Sequence, residues 1–184
     1  LALAGYDAIS HAVETWVTAK RNPLSEAMSL QAWALLEPAF LKATGGARDS
    51  ATIADLQLGA FLAGLAIENS MLGAAHACAN PLTARYQTPH GAAIALMLPH
   101  VVRWNSVELG DRYRRFHPDL PARLHELAAA ANLPRRLRDA GAVEADFDIL
   151  AKEAAKQWTG RFNPRPFSEE AARRLMSISA SGPR

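Results

Sequence analysis

Asp7 and His11 stand four residues apart near the start of the chain, and His76 and His90 stand fourteen apart in its middle, at the two ends of the run HACANPLTARYQTPH. One carboxylate and three imidazoles suffice to coordinate a divalent transition metal. A mixed oxygen and nitrogen donor set suits Fe(II) or Zn(II), whereas Mg(II) and Ca(II) prefer oxygen throughout. Positions four apart on a helix lie one above the other on the same face, so Asp7 and His11 can aim at one ion without backbone strain. Thr88 precedes Pro89 and is restricted to extended conformations, which places a new helix start near His90. The segment 76–90 therefore reads as a connection with an imidazole at each end. Glu14, three residues beyond His11, is placed to orient an imidazole, although a solvated surface carboxylate fits that position equally well. Either pair alone fits a surface hydrogen bond or a helix cap, and only the four together carry the metal reading.

These groups need rigid supports, and the pattern supplies helices almost throughout. The periodicity and its punctuation predict helices over 7–20, stopped by Arg21-Asn22-Pro23, over 25–44 with Ser25 as cap and Gly45-Gly46 as stop, and over 47–72. The last of these is apolar nearly all round, which predicts a place at the centre of a bundle. Further helices are expected over 90–104, with Pro99 ending or kinking it, and over 121–131, 144–158 and 168–179. Trp16, Trp33 and Trp104 read as core anchors, and core packing is the expectation for Trp158 and Phe162. His100 reads as a cap or packed side chain, and His117 and His125 as exposed. No alternating strand and no repeat is evident, so the fold class is all-α, a helical bundle in one domain over residues 1–184.

Composition agrees with that class. The 184 residues are 49% hydrophobic, enough for one sizeable core. Twenty basic against eighteen acidic side chains leave no large charge to attract a polyanion, and the arginines at 112, 114, 115, 135, 136 and 138 lack interleaved aromatics, so they read as a solvated face and no nucleic-acid partner is expected. The single Cys78 forms no internal disulfide, which fits a reducing, cytoplasmic compartment. No apolar run is read as reaching the roughly 20 residues that span a bilayer, so no membrane partner is expected.

The motifs also carry a resemblance. GYDAISHAVE over 5–14 resembles the first signature of the iron-containing (group III) alcohol dehydrogenases, and the segment 76–99 resembles their second. Asn163-Pro164-Arg165-Pro166, before the acidic helix start Ser168-Glu169-Glu170, resembles their carboxyl-terminal region. The resemblance implies that Asp7, His11, His76 and His90 bind a catalytic metal in the helical, C-terminal domain of a dehydroquinate synthase-like two-domain fold. It implies NAD or NADP bound mainly by a preceding domain absent from this chain, a small-molecule alcohol or aldehyde as substrate, inactivity of the fragment alone, and a homo-oligomer at full length. One position departs from the pattern: many members carry a further histidine four residues after the third ligand, where this chain has Asn80. A positioning role by hydrogen bonding is expected of that amide, with a cap of the turn before Pro81 as the competing reading. A maleylacetate-reductase-like or glycerol-dehydrogenase-like enzyme, or a non-enzymatic helical interaction module, are the alternatives.

Overall fold

The computed structural model describes residues 1–182, and among these there are helices and connections but no strand. Eight α-helices follow in order: α1 (Ala2–Val17), α2 (Pro23–Thr44), α3 (Ser50–Glu68), α4 (Ala74–Tyr86), α5 (His90–Tyr113), α6 (Leu120–Ala130), α7 (Phe147–Ala155) and α8 (Glu169–Ser181), with short 3₁₀ turns at Leu137–Ala140, Glu144–Asp146 and Trp158–Phe162. One continuous apolar core joins them, with Tyr6, Ile9, Leu36, Phe40, Leu82, Ile94, Leu98 and Leu124 fully buried.

Local chemistry explains most of the boundaries. Pro23 occupies the first turn of α2, and the cap is Asn22 rather than Ser25. The Asn22 side chain accepts from the Leu24 and Ser25 amides while Ser25 Oγ accepts from the Asn22 amide. Asp49 caps α3 by accepting from the Thr52 amide, so this helix starts at Ser50. Gln87, with φ +53, closes α4 in the left-handed region, and Thr88-Pro89 then opens α5 at His90.

Three expectations are corrected here. The run between His76 and His90 is mostly helix, and Pro81 lies inside α4. Pro99 does not end α5, which continues to Tyr113 and breaks instead at Leu109 (φ −127, ψ 20) beside Gly110. A proline removes one N–H and displaces the preceding turn, but packing on both sides holds these turns, since Pro81 and Pro99 are themselves buried. The region 144–158 is helical by α-type bonding only in α7 and Glu144–Asp146 is a 3₁₀ turn.

α3 also departs from expectation. Its buried side, Thr52, Leu56, Gly59, Ala63 and Ala66, packs along α1 and α2, and a Cβ on Gly59 would meet Leu36 Cγ at 2.7 Å. The opposite side carries Leu58 and Phe61 at 50% and 62% exposure, so the helix lies at the edge of the bundle. With 19 residues and a mean hydropathy of 1.5, it is long and apolar enough to cross a membrane by length and composition, contrary to the sequence reading. Uniform small apolar residues conceal which face is covered.

Arg112 leaves the expected solvated face. Its guanidinium lies over Trp16 at 4.4 Å, and donates to the Trp16 carbonyl at 2.9 Å and to Glu26 at 2.7 Å, tying α5 to α1 and α2.

Candidate metal centre

The second and third turns of α1, the first turn of α4 and the first residue of α5 meet at one edge of the bundle. Asp7 Oδ1 lies 3.5 Å from His11 Nε2, 3.6 Å from His76 Nε2 and 3.5 Å from His90 Nε2. Asp7, His76 and His90 each offer an atom within 4.8 Å of the other two. His11 joins them through Asp7, and its ring lies 5.1 Å from that of His76. Donors about 2.1 Å from one tetrahedral ion stand about 3.4 Å apart, which the three distances from Asp7 approach. Asp7 Oδ1 and His76 Nε2 are buried without a hydrogen-bond partner among the described residues, and both are turned into the same gap. Leaving a buried polar atom unpaired costs about 1–3 kcal/mol, and a shared cation at this point removes the cost for both. His76 is buried whereas Asp7, His11 and His90 are half-buried, so the cluster has an open side.

Glu14 is buried at 4% exposure and organises the inner wall. Its Oε2 lies 2.5 Å from His76 Nδ1, and its Oε1 accepts from the Ala75 amide at 2.7 Å. The partner is thus His76, not His11 on its own helix. A carboxylate at Nδ1 selects the tautomer that leaves Nε2 facing the gap. α4 has Gly73 at its N-cap and no side chain of its own to cap it. Glu14 and Asn163 take that place, the latter accepting from the Ala74 amide at 3.3 Å. Asn163 forms a reciprocal amide pair with Asn105 at 3.0 and 3.1 Å and donates to the Arg165 carbonyl. Arg165 in turn lies over Trp104 and donates to its carbonyl. The Asn-Pro-Arg motif therefore fastens the carboxyl-terminal loop to α5 and finishes α4. Sequence reasoning singled out the motif but missed this use; Gly73 without a following capping side chain was the available signal.

Electrostatics follow from this geometry. Burial alone would lower the basicity of His76, but the Asp7 carboxylate 3.6 Å from Nε2 and the Glu14 carboxylate bonded at Nδ1 outweigh it and raise its pKa to about 9. Burial pushes His11 down to about 4 and lowers His90, with Asp7 opposing in both. Burial would raise the Asp7 carboxyl, and the three imidazoles reverse that and lower it. At neutral pH the metal-free chain therefore carries one extra proton on His76, which a metal must displace from Nε2. The apparent affinity for Zn(II) is expected to rise roughly tenfold per pH unit up to about pH 9 and to flatten above it. Titration with Zn(II) at several pH values checks this; a flat profile between pH 6 and 8 would contradict the proton displacement.

The other sequence-marked residues divide. Asn80 lies one turn after His76 inside α4, not at a turn, and its amide donates to Gln157 Oε1 at 3.0 Å. Trp158 is 57% exposed rather than in the core. Thr159 and Gly160 take the inward side of that turn, where a Gly160 Cβ would meet Phe167 at 2.6 Å, so the indole points outward against the Phe162 edge at 5.9 Å. His125 is half-buried and sits edge-on to the buried His100 at 5.3 Å, so neither is a ligand of the cluster and His125 is not freely exposed.

A helical bundle gathering one carboxylate and three imidazoles at one edge defines a candidate metal-dependent domain. Residues 1–179 match the Fe-containing alcohol dehydrogenase family, C-terminal, and the chain belongs to that family. It is 30% identical over 185 residues to 1,3-propanediol dehydrogenase of Citrobacter freundii, covering 92% of this chain and 48% of that protein. It is 32% identical to lactaldehyde reductase of Escherichia coli, covering 89% and 47%. The crystal structure of a 1,3-propanediol oxidoreductase superposes with a TM-score of 0.91 at 29% identity, covering 97% of this chain and 51% of that one. A maleylacetate reductase from Rhizobium sp. shares the fold at a TM-score of 0.89 and 22% identity, covering all of this chain and 53% of that one. The chain spans about half the length of the curated relatives it matches.

Proposed function

We propose that this chain is the metal-binding half of an NAD(P)-dependent alcohol dehydrogenase, with Fe(II) or Zn(II) held by Asp7, His11, His76 and His90. The observation that carries the reading is the pair of buried, unpartnered atoms, Asp7 Oδ1 and His76 Nε2, facing one gap among four donors. Such an ion supplies Lewis acidity toward an alcohol or carbonyl oxygen. The chain's own residues do the rest that can be assigned. Glu14 holds His76 in the ligating tautomer, and the open side of the cluster admits substrate. Trp158 and Phe162 form an apolar surface on the turn packed against α4, suited to the carbon part of a small alcohol. The dinucleotide is assigned to the half of the relatives' length that this chain does not span.

The test measures metal content and nicotinamide reduction with a panel of primary alcohols. The chain alone is expected to bind one equivalent of Fe(II) or Zn(II) without turnover, and the full-length protein to turn over. His76→Ala should remove both metal and turnover, and turnover by a metal-free His76→Ala protein would refute the reading. Asn80 is assigned a positioning role, holding Gln157 and the Trp158 turn against α4. Asn80→His adds a titratable group there, so the pH dependence of kcat is expected to shift while metal content stays unchanged. Superimposable pH profiles would remove Asn80 from the chemistry.

A further inference from the structure

A second concavity lies elsewhere on the molecule. It is a cavity of about 530 Å³ between α5, α6 and α8, lined by His100 and Arg103, His125, and Arg174, Ser177 and Ser181. His100 follows His90 by ten positions on α5, so at 1.5 Å per residue it sits about 15 Å along the helix from the metal centre.

The lining is one-sided in charge. Among the described residues it contains two guanidiniums, two imidazoles and no carboxylate. Among the described residues neither Arg103 nor Arg174 is paired with an acid, although Arg112, Arg123, Arg165 and Arg173 all are. His100 is only 6% exposed, yet it borders the cavity and its ring neighbour is another imidazole rather than an acceptor. Burial chiefly pushes its pKa down to about 4, and His125 and Arg103 beside it add to the effect. The two guanidiniums thus border the cavity with no anionic partner among the described residues, and a guanidinium's strongest partner is an acceptor of high negative charge.

We infer that this cavity binds a phosphate group carried on a small organic molecule. Guanidinium forks match phosphate oxygens, and imidazole N–H donors complete such a site. The volume falls within the range of about 300–1,000 Å³ typical of small-molecule pockets, more than a bare phosphate fills. No aromatic platform for nucleobase stacking is present in the lining, which argues against a nucleic-acid strand.

The experiment is calorimetric titration of the protein with glycerol 3-phosphate, inorganic phosphate and glycerol. Saturable binding of glycerol 3-phosphate, at least threefold tighter than inorganic phosphate and with glycerol silent, is expected. Arg174→Gln and His125→Gln should each weaken it at least tenfold. Arg174 is exposed and His125 half-buried, so both variants should keep the parent's thermal midpoint, and circular dichroism confirms that they fold. Equal affinity for both phosphates would overturn the organic part of the inference and leave a free-phosphate site. Absence of saturable binding, or binding unchanged in Arg174→Gln, would overturn it entirely. Binding lost in His90→Ala but kept in Arg174→Gln would place the phosphate at the metal cluster and overturn it as well.

Discussion

Glu14→Ala is expected to weaken metal binding by about 10–100-fold, the usual cost of removing the partner that orients a ligating histidine. The same change should lower stability, because it leaves the Ala75 amide and His76 Nδ1 buried without acceptors. One such loss costs about 1–3 kcal/mol, and about 1 kcal/mol moves the midpoint of a domain this size by roughly 2–4 °C. Glu14→Gln separates the two effects. Its amide has one acceptor oxygen instead of two, so it can serve the Ala75 amide or the imidazole but not both. Intermediate affinity with a smaller loss of thermal midpoint is expected. Metal titration and thermal unfolding of the three proteins decide it: an affinity unchanged in Glu14→Ala would show that His76 needs no orienting partner.

Gly91→Ala should be the most disruptive single-methyl change next to the site. A Cβ at Gly91 would lie 2.2 Å from the Leu3 carbonyl oxygen, 2.7 Å from its carbon and 2.9 Å from its Cα. All three are backbone atoms, so α1 and α5 must separate. Overpacking of this kind typically costs about 1–3 kcal/mol or more. Asp7 and His11 ride on one of these helices and His90 on the other, so metal affinity should fall with stability. Gly64→Ala is the control: it lies mid-helix in α3 with nothing within 4 Å of its Cβ, and about 0.5–1 kcal/mol of stabilisation is expected. Denaturant midpoints of the two variants give the comparison, and a Gly91→Ala protein as stable as its parent would mean the two backbones are not in contact.

The fold class was legible because helix periodicity and punctuation are local signals, and the pairing of Asp7 with His11 followed from helix geometry alone. His76 and His90 were marked by residue type and spacing and then by the family resemblance, but local pattern could not show that they meet, since that depends on how α4 and α5 cross. α4 itself was hidden because its caps lie 61 and 89 residues away in sequence, on Glu14 and Asn163. The exposed side of α3 was hidden for a different reason. Its composition is nearly uniform, so nothing along the sequence distinguishes the face that packs on α2 from the face that Leu58 and Phe61 leave to solvent. Trp158 misled because an indole outside the core is judged by residue type until the small residues behind it, Thr159 and Gly160, are seen to take the inward positions.

The cap on α4 has a consequence for the order of assembly. The carboxylate that completes the helix is the one that sets the tautomer of its histidine, so the helix end and the ligand form in a single cooperative event. With α1 undocked, neither the helix end nor the Nδ1 partner of His76 would be in place. The Ala75 amide, bonded to a side chain of another helix instead of a carbonyl of its own, is therefore a built-in reporter: its hydrogen exchange is expected to slow only when α1 has docked against α4.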